Sequence, residues 1–181
     1  FHRRPPPDMP DEDLAWDIQE NGRQLLVAAG YEQYEVSAFS RPGHACRHNL
    51  NYWQFGDYLA AGAGAHGKIT DRDGIIRRYR KTPNPLSYIE QAEAATLDPS
   101  LDAVSVADAG FEFMLNALRL SAGVSPSLLS ERTGLGLDSL SKQIEAAVAD
   151  GLLEDPTTER LRPTADGFRL LNELQERFLP E

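Results

Sequence analysis

One cysteine, Cys46, is all the thiol chemistry in a chain of 181 residues. An internal disulfide is therefore excluded, and a thiolate-held iron–sulfur cluster, which takes three or four cysteines, has no ligand set. The thiol count fits a reducing compartment, and the cytoplasm is the expected location. Long apolar runs are missing too, since no stretch approaches the roughly 20 residues that span a bilayer. Cations are scarce: 18 Lys and Arg stand against 28 Asp and Glu, a net charge of −10. That balance opposes polyanion binding, because phosphate contacts need clustered Lys and Arg. The opening FHRRPPPDMPDED is proline-rich and acidic, unlike a signal or transit peptide, and carries no initiator Met. The chain is expected to be part of a longer protein.

What is present divides into two halves near residue 100. Residues 1–100 hold 11 basic and 14 acidic side chains, and residues 101–181 hold 7 and 14, so the second half carries most of the negative charge. In the first half, DEDLAWDIQENGRQLLVAAGY reads as a helix, with Leu14, Ile18, Leu25 and Ala29 at helical spacing and Gly30 placed to end it. YEQYEVSAF reads as a strand, DYLAAGAGAHGKI as a small-residue strand entering a glycine-rich turn, and KITDRDGIIRRYRK as a hairpin with its turn at RDG. KTPNPLSYIEQ and ATLDPSLDAVSVAD read as connecting sequence. Helix-then-strand order points to α/β units, although two or three strands complete neither a barrel nor a doubly wound sheet.

The second half reads as helices at FEFMLNALRLS, SPSLLSERTG and LDSLSKQIEAAVADG, the second capped by Ser125 with Pro126 at its first position. Two short strands in LLEDPTTERLRPT, around an Asp-Pro turn, and a closing helix in TADGFRLLNELQERFL complete it. Three helices, a two-stranded wing and a final helix describe a winged-helix domain. Its third helix carries Asp138, Lys142, Glu145 and Asp150, one cation against three anions, and no Arg to read guanine. No nucleic-acid partner is expected.

Four motifs hold chemistry-bearing side chains. GAGAHG, residues 62–67, spells the dinucleotide fingerprint, but a hairpin-like segment follows where the pyrophosphate would need a helix N-terminus. Its small residues suit a strand end close to other backbone, or one lining a cofactor pocket. Cys46 has no arranged histidine and carboxylate to make it a nucleophile and reads as a structural thiol. His48 and Tyr52 stand four apart in CRHNLNYW, so a helical turn would put them on one face. Both side chains can ligate haem iron, and hydrogen-bonded packing is the alternative. Tyr31, Tyr34, Phe39, Trp53, Phe55 and Tyr58 surround them in sequence and suit either a core or the face of a large flat ligand.

GYEQYEVSAFSRPGHACRHNLNYWQFGDYLAAGAGAHG resembles the late-barrel segment of the oxygen-independent coproporphyrinogen III oxidase-like radical-SAM family, on the side of its bacterial haem chaperones. FEFMLNALRL, GLL and LRPTADGFRLLNELQERFL resemble the C-terminal domain of that family. The resemblance implies an α/β plus α chain: the C-terminal part of a partial (β/α)6 radical-SAM barrel over residues 1–100, then a winged-helix-like domain over 101–181. It implies haem or a porphyrin as ligand, an unidentified haem-accepting protein as partner, and a [4Fe–4S] cluster with S-adenosylmethionine in the longer parent. The family's C-x-x-x-C-x-x-C motif does not occur in this chain, which is expected to be catalytically inactive by itself. The family's H-N-x-x-Y haem motif falls on His48, Asn49 and Tyr52, and S-adenosylmethionine contacts made through backbone fall on Ser40 and His66. Haem binding and transfer is the implied function. The decarboxylating oxidase of the same family, or a winged-helix interaction module, is the alternative. Strands that pair with earlier barrel strands would leave an open edge or apolar face here, so self-association is expected.

Overall fold

A computed structural model describes residues 6–96, 101–155 and 159–180. Pro5 and the Asp-Pro turn at Pro156 fall outside them. The chain forms two compact units, residues 1–45 and 46–181.

The first unit begins with helix α1, Glu12–Ala28. Asp11 caps it by accepting from the Leu14 amide at 2.8 Å, and Glu12 and Asp13 lie at the positive end of the dipole. Gly30, at φ 82, closes it: the Tyr31 amide reaches back to the Leu26 carbonyl in a Schellman arrangement. No residue of α1 is buried. The segment expected as one strand is a hairpin of β1, Glu32–Glu35, and β2, Ala38–Ser40, with a bulge between Gln33 and Glu35. The Glu35 carboxylate, 2% exposed, accepts from both the amide and the hydroxyl of Ser37 and so builds the turn.

The second unit opens with α2, Arg47–Trp53. It stops at a second Schellman arrangement, the Gly56 amide bonding the Asn51 carbonyl at 2.7 Å, with Phe55 at φ 55 in the position glycine usually takes. That conformation sends the Phe55 ring into the core, edge-on to Phe113. The predicted small-residue strand is absent as such. Only Tyr58 bridges, to Lys68, and residues 59–65 are irregular, with Gly62 and Gly64 at positive φ. The hairpin is present: β3, His66–Thr70, pairs antiparallel with β4, Ile76–Arg80. Its turn is set by Asp71, whose side chain accepts from the Asp73 and Ile75 amides. Two stretches expected to be connectors are ordered. Asn84 caps α3, Pro85–Glu93, with Pro85 in its first turn, and β5, Leu101–Ala103, adds a third strand beside β4.

Helix α4, Val106–Ala117, starts five residues before the predicted apolar run because Ser105 caps it, accepting from the Asp108 amide. Helix α5, Ser127–Thr133, has no side-chain cap; the Ser125 hydroxyl pairs with that of Ser127 instead. A 3-10 turn, Leu137–Leu140, leads into α6, Ser141–Ala149. The two expected strands are isolated bridges, Val124 to Leu161 and Leu153 to Pro163. The closing helix breaks at Leu170 into α7, Ala165–Arg169, and α8, Leu171–Glu176. The core gathers Phe113, Met114 and Ala117 of α4 and its cap residue Leu118 with Leu129, Ala147, Leu161 and Leu174, all fully buried. Each such large apolar side chain contributes roughly 1.5–3 kcal/mol by leaving water.

Candidate functional site around helix α2

Helix α2 carries three of the five predicted site residues. His48 is exposed, while Asn49 and Tyr52 are partly buried. One helical turn brings the His48 and Tyr52 rings together edge to face, centroids 4.8 Å apart. Tyr52 in turn packs on Tyr58 at 4.2 Å. The array is anchored from below. The Tyr58 hydroxyl accepts from Arg78 Nη1 at 3.0 Å, and Arg78 donates through Nε and Nη2 to the Glu112 carboxylate of α4. An imidazole on the surface, a phenol beside it and a fixed second phenol thus share one edge of the unit.

Lys68 forms the floor next to this array. Its side chain is 2% exposed, its ammonium donates to Asp57 Oδ1 at 2.8 Å, and it lies 4.3 Å from the centre of the Phe55 ring. Burial pushes the Asp57 carboxyl up, but hydrogen bonds from Lys68 and from the Thr70 amide and hydroxyl outweigh it and hold the group below its ordinary range. Asn51 donates to the Asp57 carbonyl, which ties the end of α2 to this ion pair.

The other expected residues are placed differently. His66 is exposed at the start of β3, opposite Arg80. Ser40 ends β2 in the first unit, as Tyr31, Tyr34 and Phe39 also belong to that unit. Cys46 is exposed at the N-terminus of α2. Trp53 carries the Arg119 guanidinium over its ring at 4.2 Å, so a cation covers one face of the expected apolar wall. Phe55 faces the core. Arg78 and Glu112 were not among the predicted residues; the pairing of a strand arginine with a helix carboxylate 34 residues away leaves no local signal. Among the described residues no group of three or more His, Cys, Asp or Glu could hold a metal ion, and no helix is long and apolar enough to cross a membrane.

The residue types at α2 suit haem, since imidazole and phenol side chains are both able to ligate its iron, and aromatic rings continue from them. They do not fit an iron–sulfur cluster, for which the single thiol of the chain is too few.

Comparisons with known proteins give these features a setting. Residues 104–170 match the HemN C-terminal domain family. Over 176 residues the chain is 44% identical to "Heme chaperone HemW" of Escherichia coli, covering 97% of this chain and 45% of that protein. The corresponding protein of Haemophilus influenzae is 42% identical over 176 residues, again 97% of this chain and 45% of the relative. That of Mycobacterium tuberculosis is 38% identical over 174 residues, 94% of this chain and 40% of the relative. The chain therefore spans less than half the length of these relatives. Among solved structures, the coproporphyrinogen III oxidase (HemN) of Escherichia coli, described as a radical SAM enzyme, superposes with a TM-score of 0.67. That match covers 94% of this chain and 42% of the oxidase at 18% identity, a likeness of fold. Sequence and fold agree: nearly the whole chain is homologous to the HemW haem chaperones, and its residues 104–170 belong to the HemN C-terminal domain family.

Proposed function

We propose that this chain is the carboxy-terminal part of a cytoplasmic haem chaperone and that His48 and Tyr52 contact the haem it carries. The observation behind the reading is the pairing of an exposed imidazole with a phenol 4.8 Å away on α2, in a chain homologous to haem chaperones over nearly its whole length. Haem iron takes axial imidazole or phenolate donors. In this reading His48 offers its imidazole outward, Asn49 lies beside it in the same helical turn, and Tyr58, fixed by Arg78, keeps the Tyr52 ring in place. The backbone at Ser40 and His66 is assigned to S-adenosylmethionine in the longer protein, where cysteines outside this chain would hold the cluster.

The same reading makes residues 1–100 the late part of a partial barrel and 101–181 a winged-helix-like domain. The family match beginning at residue 104 supports that division. So does the order of α4, the Val124 bridge, α5, α6 and the bridged segments at Leu153 and Leu161. In this reading the helices of the domain serve packing rather than DNA binding. Arg160 donates to the Ala122 and Gly123 carbonyls, and Arg162 to Glu154, so both arginines of the bridged segments are engaged within the chain.

Hemin titration followed at the Soret band tests the haem site in the longer protein. His48→Ala and Tyr52→Phe are each expected to weaken binding roughly tenfold or to move the band, with thermal stability little changed because His48 is exposed. Unchanged spectrum and affinity in two folded variants would end the proposal.

A further inference from the structure

Helix α6 and the turn before it present a stripe that the haem reading does not use. Leu137, Ser141, Ile144 and Val148 follow one another at spacings of four, three and four, the spacing that seats a second helix. With Ala149 they line an open groove of about 470 Å³. The α6 part of the stripe, from Ser141 to Ala149, extends about 12 Å at 1.5 Å per residue, and the 3-10 turn lengthens it further, a shape suited to an elongated occupant. Asp138 and Glu145, both exposed and seven residues apart, flank it, and Asp155 lines the same groove. No Lys or Arg is among the lining residues, and Lys142 of α6 lies outside them.

We propose that this groove docks a cationic amphipathic helix of a partner protein. The partner's apolar stripe lies on Leu137 and Val148, both half-buried, with Ile144, 5% exposed, at the base of the groove, and its Lys or Arg residues run along Asp138 and Glu145. The apolar floor provides contact area, while the carboxylates select the sign of the partner and set the docking orientation. A neutral or acidic helix meets the same floor with no charge match.

Fluorescence anisotropy with the 181-residue chain and a labelled 18-residue Leu/Lys helix tests this. A dissociation constant on the order of micromolar is expected. The same peptide with Glu for Lys, or with Ser for Leu, should bind at least about tenfold more weakly. Glu145→Lys should weaken the Leu/Lys peptide about tenfold and flatten its salt dependence without moving the thermal midpoint, since Glu145 is exposed. Glu12→Lys, which changes net charge equally from α1, should leave binding unaltered. Three results would each overturn the proposal: equal weakening by both charge reversals, equal binding of the Glu peptide, or sedimentation showing that Glu145 holds two copies of this chain together.

Discussion

Removing the Asp57 carboxylate would leave the Lys68 ammonium, 2% exposed, facing Phe55 without a counter-charge. Breaking a buried ion pair from one side typically costs about 3–5 kcal/mol. The Asp57 side chain is 44% exposed, so Asp57→Asn is expected to cost roughly 2–3 kcal/mol. Lys68→Met should cost less, because an apolar chain of similar length suits the Phe55 ring and Asp57 keeps both Thr70 donors. Chemical denaturation of both variants checks the order. Because the folded carboxyl is held below its ordinary range, its contribution is present above about pH 4 and is lost as pH falls through the lowered folded value. The urea midpoint of the parent should therefore drop on acidification more steeply than that of Asp57→Asn. At this scale the sequence was readable where one helical turn does the work, as with His48 and Tyr52. Lys68 was not readable as buried, since nothing nearby in sequence announces that Asp57, 11 residues earlier, neutralises it.

Gly167 decides how α7 meets the rest of its unit. A Cβ there would overlap the Leu152 carbonyl, a backbone atom that also accepts from the Thr164 amide and cannot swing aside. Gly167→Ala is expected to destabilise by about 3 kcal/mol, as overpacked sites do, and to lower the thermal midpoint. Gly151→Ala, strained at φ 71 but with open space around it, separates backbone strain from this collision and should cost less. Elements were legible where a cap and a periodic run coincide, as in α1, and where an Asp-containing turn divides two strands, as in β3 and β4. The β1–β2 hairpin was read as one strand because its turn uses a buried carboxylate, Glu35, in place of Gly, Asn or Pro. Helix α3 was passed over because Pro83 and Pro85 look like breakers, although Pro85 beside the Asn84 cap is a helix start. Residues 59–63 form no strand, with Gly62 at positive φ, whereas Gly64 and Ala65 still exchange backbone hydrogen bonds with Thr82 and Lys81.

At the scale of the whole molecule, the first unit by itself leaves α1 incompletely packed. Leu14, Ile18 and Leu25 are 51%, 58% and 73% exposed, and no residue of the helix is buried. An apolar face of this kind seeks cover. The isolated chain is expected to self-associate in sedimentation runs, and Ile18→Glu with Leu25→Glu to return it to a monomer. A monomeric parent would refute this expectation. The Arg78–Glu112 fork has a different consequence, in time. Its two ends are 34 residues apart, so closing that loop costs about 3 kcal/mol of chain entropy before the bond can form. A contact made that late belongs to the descent from the folding barrier rather than the climb. Glu112→Gln is then expected to speed unfolding while leaving the refolding rate nearly unchanged. The Tyr58–Tyr52–His48 array, which stands on that fork, would be the last part of its surface to set and the first to loosen.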